Sequence, residues 1–233
     1  MALVLLTALA VTGTLGDQKA DEQKLRIVQW ELERTADGLR PVSQNRELLP
    51  IAGEDSTKET VRIKDSFTEA DEENQAVWVT ISAEAELYNA ESARDHMVVI
   101  TNIGNVTGYI RTWFAFEMGD LTEREFAAWV HLNRNTDAWD WGEMTYGTQI
   151  DCHRYAVVCA SYRDGLAAGA TTAPSLWQVL LDSAVSNEIT VRLDGNGDGR
   201  YEIKATSLAV SDPGAWGSAS LPHPWQTKAA DQS

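Results

Sequence analysis

Apolar and polar residues alternate along much of this chain, and a period of two predicts strands. Leu25 to Leu32 reads as a strand with Val28, Trp30 and Leu32 on one face. Val77 to Ile81 turns Val77, Val79 and Ile81 inward. Met97 to Thr101 is apolar and β-branched throughout, as a strand buried on both faces would be. Tyr109 to Glu117 alternates, with Ile110, Thr112, Phe114 and Phe116 on one side and Tyr109, Arg111, Trp113 and Glu117 on the other, outward side. The last two segments flank a polar turn holding Asn102, Gly104, Asn105 and Gly108, so they predict a central hairpin. A second hairpin is predicted from Trp139 to Ile150 and Arg154 to Tyr162, turning near Asp151. Ser175 to Leu181 is a further apolar strand, and Glu188 to Leu193 pairs with Tyr201 to Thr206 across a Gly-rich turn.

Other stretches lack the alternation. Residues 50–76, including the acidic run Glu69 to Glu73, read as an irregular solvated connection, and residues 82–93 as a polar link. One helix is expected. Thr122 and Glu125 form a capping box, Leu121 can staple to Phe126, and Phe126, Trp129 and Val130 make an apolar stripe. His131 then falls where a helix C-terminus favours a cation. Together these elements predict an all-β, antiparallel β-sandwich over residues 25–210 with one inserted short helix, followed by an irregular tail at 211–233. Pro222, His223, Pro224 and Trp225 are the part of the tail expected to pack.

The N-terminus changes the picture. Ala2 to Val11 is an apolar run too short for a stable membrane span, and it leads through Gly13 and Gly16 into polar residues 17–24. Residues 1–16 therefore read as a secretory signal, with cleavage near Gly16 or else Ala20, although no basic stretch precedes the run. A net charge of −16 repels phosphate backbones and argues against nucleic acid as a partner. Cys152 and Cys159 would lie about 23 Å apart on one extended strand, so a disulfide between them needs the chain to curl.

Candidate chemistry is sparse. Asp194-Gly195-Asn196-Gly197-Asp198-Gly199 places oxygen ligands at alternate positions, as calcium loops do, with Glu202 at the ninth position. Ala205 stands where such a loop needs a bidentate glutamate, and the plainer reading is a tight turn. No other cofactor is expected. The histidines His96, His131, His153 and His223 form no zinc pattern. Glu117 and Asp120 near Trp113, Trp139 and Trp141 can be read as a glycan cleft, but the plainer reading is an acidic rim around packed indoles. Asn105-Val106-Thr107 has the form of a glycosylation acceptor but is not used in this reading, which takes the chain as bacterial.

The order of segments WELER, QNRELLP, VVITNIGN, YIRTWFAFE, GATTAPSLWQVLL and YEIKATSLAV, after a signal ending G-T-L-G, resembles one family. It is that of exported proteins released by a dedicated SipW-type signal peptidase, the relatives of TasA and camelysin. The resemblance implies a jelly-roll-like sandwich, secretion to the cell surface or biofilm matrix, and assembly into fibres with copies of itself or related subunits. It also implies strand complementation between subunits, for which Leu25 to Leu32 is the candidate donor, with Val28, Trp30 and Leu32 as plugs. The alternative within this segment is pairing inside its own domain. Other readings are a surface glycan-binding module using Trp139 and Trp141, and a metallopeptidase, since camelysin-like proteins have been grouped with those enzymes. No catalytic constellation is visible, and the chain is expected not to be an enzyme.

Overall fold

A computed structural model describes residues 24–42, 48–70, 75–216 and 224–225. The signal-like segment, both cleavage positions and most of the C-terminal tail lie outside the described residues.

In chain order the strands are β1 (Ile27–Thr35), β2 (Gly38–Pro41), β3 (Glu59–Ala70), β4 (Ala76–Leu87), β5 (Arg94–Asp95), β6 (Met97–Asn102) and β7 (Tyr109–Glu117). Helix α1 (Glu123–Trp129) follows, then β8 (Val130–Arg134), β9 (Trp139–Trp141), β10 (Thr145–Ile150), β11 (His153–Tyr162) and β12 (Leu176–Leu181). Helix α2 (Asn187–Leu193), β13 (Ile203–Val210) and a 3-10 turn (Pro213–Trp216) complete the described chain.

The pairings are antiparallel and build two facing sheets. One holds β2, β1 and β6 in that order, and β12 lies between β5 and β8. Backbone bonds from Ser175 N to Val98 O (2.9 Å) and from His96 N to Trp177 O (2.9 Å) join these two groups into one layer. The other sheet runs β10, β11, β7, β13, with β9 also on β11. Val98, Ile100, Leu176, Val179 and Leu181 of the first meet Ile110, Phe114, Phe116, Ala156 and Val158 of the second in the main core. The predicted all-β sandwich is therefore present.

A third layer covers the first sheet. Strands β3 and β4 pair over twelve residues each without a register shift and form an arm. Its inward face, with Ile63, Val77, Val79, Ile81 and Leu87, packs on Val28, Trp30, Leu32, Met97, Val99 and Trp177. This corrects the irregular connection expected over residues 50–76 and 82–93 in its parts 59–70, 76 and 82–87, which are strand; residues 71–74 lie outside the described residues. The inward row of β3 is Val61, Ile63, Asp65 and Phe67, and its one acid has a partner: Asp65 Oδ2 accepts from Leu39 N at 2.6 Å.

Two more expectations fail on pairing. The segments around the polar turn are strands, but β6 pairs with β1 while β7 pairs with β11 and β13. The turn carries the chain from one sheet to the other, because both strands need cover on both faces. The predicted strand Glu188 to Leu193 is helix α2, started by Ser186, whose Oγ accepts from Ile189 N, and anchored by buried Ile189 and Leu193. The capping box at Thr122 and Glu125 forms as predicted. Helix α1 ends one residue before the Val130 C-cap, so His131 lies on β8, where its Nε2 meets Asp182 Oδ2 at 3.0 Å. It does not cap the helix.

Candidate functional site

The candidate donor strand is seated in its own chain. β1 pairs with β6 from Ile27↔Asn102 to Leu32↔Met97, and with β2 from Leu32↔Pro41 to Thr35↔Gly38. Val28, Trp30 and Leu32 are buried, as the alternation required. They enter a slot walled by β6 and the arm. The Trp30 ring meets Phe67 edge-on with centroids 5.9 Å apart, and its Nε1 donates to Thr101 Oγ1 at 3.1 Å. Burying three such side chains stabilises the seated strand by about 1.5–3 kcal/mol each.

The opposite face of β1 is polar and points between the sheets. Gln29 Nε2 donates to Ala205 O (3.0 Å), and Gln29 Oε1 accepts from Ser207 Oγ (2.7 Å). Ser207 in turn lies 2.8 Å from Thr112 Oγ1, and Glu31 Oε2 lies 2.8 Å from Nε2 of buried His96. β1 is thus held by an apolar plug on one side and matched hydrogen bonds on the other.

The Gly-rich loop is held differently. Asp194 Oδ1 accepts from Gly197 N (2.8 Å) and Asp198 N (3.2 Å), and Oδ2 accepts from Gly199 N (2.9 Å). Asn196 and Asp198 close smaller turns, accepting from Asp198 N and Arg200 N at 2.9 Å each. Gly197 and Gly199 take φ of 71° and 74°, values that favour glycine. Glu202, the fourth candidate calcium ligand, is drawn elsewhere: Tyr155 Oη donates to one oxygen and Lys204 Nζ to the other at 2.9 Å. Among the described residues no three His, Cys, Asp or Glu side chains converge as metal ligands. Of the four candidate residues, Asp194, Asn196 and Asp198 lie together in a loop organised by Asp194, and Glu202 lies in a separate cluster.

That cluster was missed in the sequence. Glu117, read as an outward position, is buried at the end of β7 and pins both ends of the loop segment. Its Oε1 accepts from Gly195 N (3.2 Å) and its Oε2 from Glu202 N (3.0 Å). Burial raises its pKa, against the lowering effect of those two backbone donors. Burial also raises Tyr155 and Tyr201, whereas Glu202 stays below the ordinary range because Tyr155 and Lys204 outweigh its own desolvation.

The tryptophans chosen for a glycan cleft belong to the core. Trp139 is only 1% exposed and its Nε1 donates to Ala173 O at 2.9 Å. Trp141 stacks on Phe114 with centroids 5.3 Å apart, and Arg134 lies over its ring. The exposed indole is Trp78, 71% accessible on the outer face of the arm. Cys152 and Cys159 are free; Cys152 sits beside Asp151 in a left-handed turn, and burial pushes the Cys159 thiol up to about 11. No protein-family model, curated protein or solved structure matches this chain.

Proposed function

We propose that this chain is an exported structural protein, a subunit or accessory of an extracellular fibre or matrix, that assembles by placing β1 of one copy in the slot of the next. One observation carries the reading. Val28, Trp30 and Leu32 plug a slot whose other walls, β3, β4, β6 and Trp177, all come from later in the chain. A strand at the start of the fold that fills a separable slot is the arrangement strand addition and domain swapping use. In the single chain the slot is filled from within, which protects an edge that would otherwise be adhesive. The resemblance in segments such as VVITNIGN and YIRTWFAFE supports the same role, with release by a dedicated signal peptidase and a jelly-roll-like strand order.

Electron microscopy of the purified chain without residues 1–16 tests this. Fibres that vanish when residues 17–32 are also removed are expected. Intact fibres after that deletion would remove β1 from the assembly. A glycan-binding reading now has a different observation in its favour: Trp78 faces solvent directly across from Thr68 on the arm. Binding to a glycan array that is lost on Trp78→Ala would favour it.

A further inference from the structure

We propose that the arm binds a second copy of this chain edge to edge, the open edge of β4 receiving β3 of the next copy as an antiparallel strand. The contact is separate from β1 exchange and does not depend on it.

The two edges of the arm differ. Among the described residues β3 and β4 pair only with each other, so each keeps a row of backbone N–H and C=O groups facing away from its partner. β3 carries the devices that blunt such an edge. Arg62 and Lys64 are exposed in its outer row, and Asp65 stands in its inward row. β4 carries none of these over residues 76–83, AVWVTISA, which hold no charge, proline or glycine. Its edge is closed only at Glu86, whose carbonyl accepts from Asn133 Nδ2 at 2.8 Å. A long, regular, uncharged edge is a template for a further strand.

Charge selects the strand that fits. The outer row of β4 ends in exposed Glu84 and Glu86, and β4 has no basic residue. Within one chain Arg62 meets Glu84 at 2.7 Å and Thr60 meets Glu86, while Lys64 lies opposite Ser82. Moving an incoming β3 along so that its Lys64 lies opposite Glu84 sets Ser66 opposite Ser82, Thr68 opposite Thr80 and Ala70 opposite Trp78, with Arg62 level with Glu86. This shift is even, so outer side chains stay on the outer face and free backbone groups meet free backbone groups. Opposite charges then face each other across the new pair, which stabilises it. The symmetric alternatives lack that match. Two β3 edges in full antiparallel overlap put Lys64 opposite or diagonal to the Lys64 of the other copy, and two β4 edges gain no charge pair. Because the β3 and β4 edges are different surfaces, the contact runs head to tail and repeats without closing.

The test uses two full-length chains, one with Ser66→Cys and one with Ser82→Cys, each with Cys152 and Cys159 replaced by serine. Both positions are exposed, and neither chain can form this bond within itself. Mixing them under mild oxidation should give disulfide-linked pairs of one chain with the other, and far fewer linked pairs in either chain alone. Adding Lys64→Glu to the first chain should abolish the mixed pairs, and adding Glu84→Lys to the second should restore them. All these sites are exposed, so melting temperatures should match the parent chain. Folded chains that give no mixed pairs, or Ser82→Cys chains linked only to each other, would overturn the proposal. Cysteines placed at Val28 and Thr101 of different copies report β1 exchange separately, so the failure of one contact is told from the failure of the other.

Discussion

Strand β1 and the loop from Asp194 to Gly199 are the two stretches the sequence marks most clearly as sites, and they are held by opposite means. β1 draws mainly on apolar area, with Val28, Trp30 and Leu32 in an apolar slot, beside the hydrogen bonds of Gln29 and Glu31 on its other face. The loop is fixed by backbone donors converging on two carboxylates, Asp194 and Glu117. Burial of area is non-directional and tolerates exchange of one identical strand for another. A loop threaded through specific N–H···O bonds makes those bonds only in its own conformation. Under the proposed function, assembly falls to β1, while the loop sets local shape.

The comparison breaks if the loop proves as costly to disturb as the slot. Trp30→Ala should destabilise the folded chain by about 3–5 kcal/mol, from lost transfer energy and a cavity, measured by urea unfolding. Glu117→Gln should cost less, about 1–3 kcal/mol, since one of two backbone donors loses its acceptor. Hydrogen exchange at Gly195 and Glu202 should speed up in that variant while β1 amides stay protected. Asp194→Ala, half-buried where the loop leaves α2, should cost about 1 kcal/mol in the same unfolding assay. Trp78→Ala, on the open face of the arm, should stay within about 0.5 kcal/mol.

The pH dependence sharpens the same contrast. Glu125, paired with Arg192 at 2.7 Å, has its pKa lowered to about 2 from an ordinary value of 4.5. Its contribution is present above 4.5 and is lost as pH falls toward 2. Glu117 has the opposite sign. Its folded pKa is raised, so the folded chain holds that proton more tightly than the unfolded one. Its contribution is greatest below the ordinary value of 4.5 and declines as pH rises through the folded pKa. Melting temperatures from pH 2 to 7 should show the low-pH loss reduced in Glu125→Gln, and the decline above 4.5 flattened in Glu117→Gln.

Much of the fold was legible because alternation reports which face is buried. β1, the Val77 to Ile81 part of β4, β7 and the capping box of α1 all follow that logic. What alternation does not report is the partner, so β6 and β7 were misread as a hairpin when each needed a different sheet. β3 was hidden by Asp65 in its inward row, because an inward acid reads as a loop until Leu39 N is known to meet it. α2 was hidden by β-branched Ile189, Thr190 and Val191, although Ser186 ahead of Ile189 and Leu193 four apart carries a helical signal. Glu117 was beyond reach, since its partners Gly195 and Glu202 lie far along the chain and offer only backbone N–H groups.

The most direct test of strand exchange joins two differently marked copies. One carries Val28→Cys and the other Thr101→Cys, positions directly paired between β1 and β6, both with Cys152 and Cys159 replaced by serine. Neither copy can close this bond within itself. Assembled, oxidised mixtures should contain covalent pairs of one copy with the other. Fibres that form without any such pairs would contradict the account.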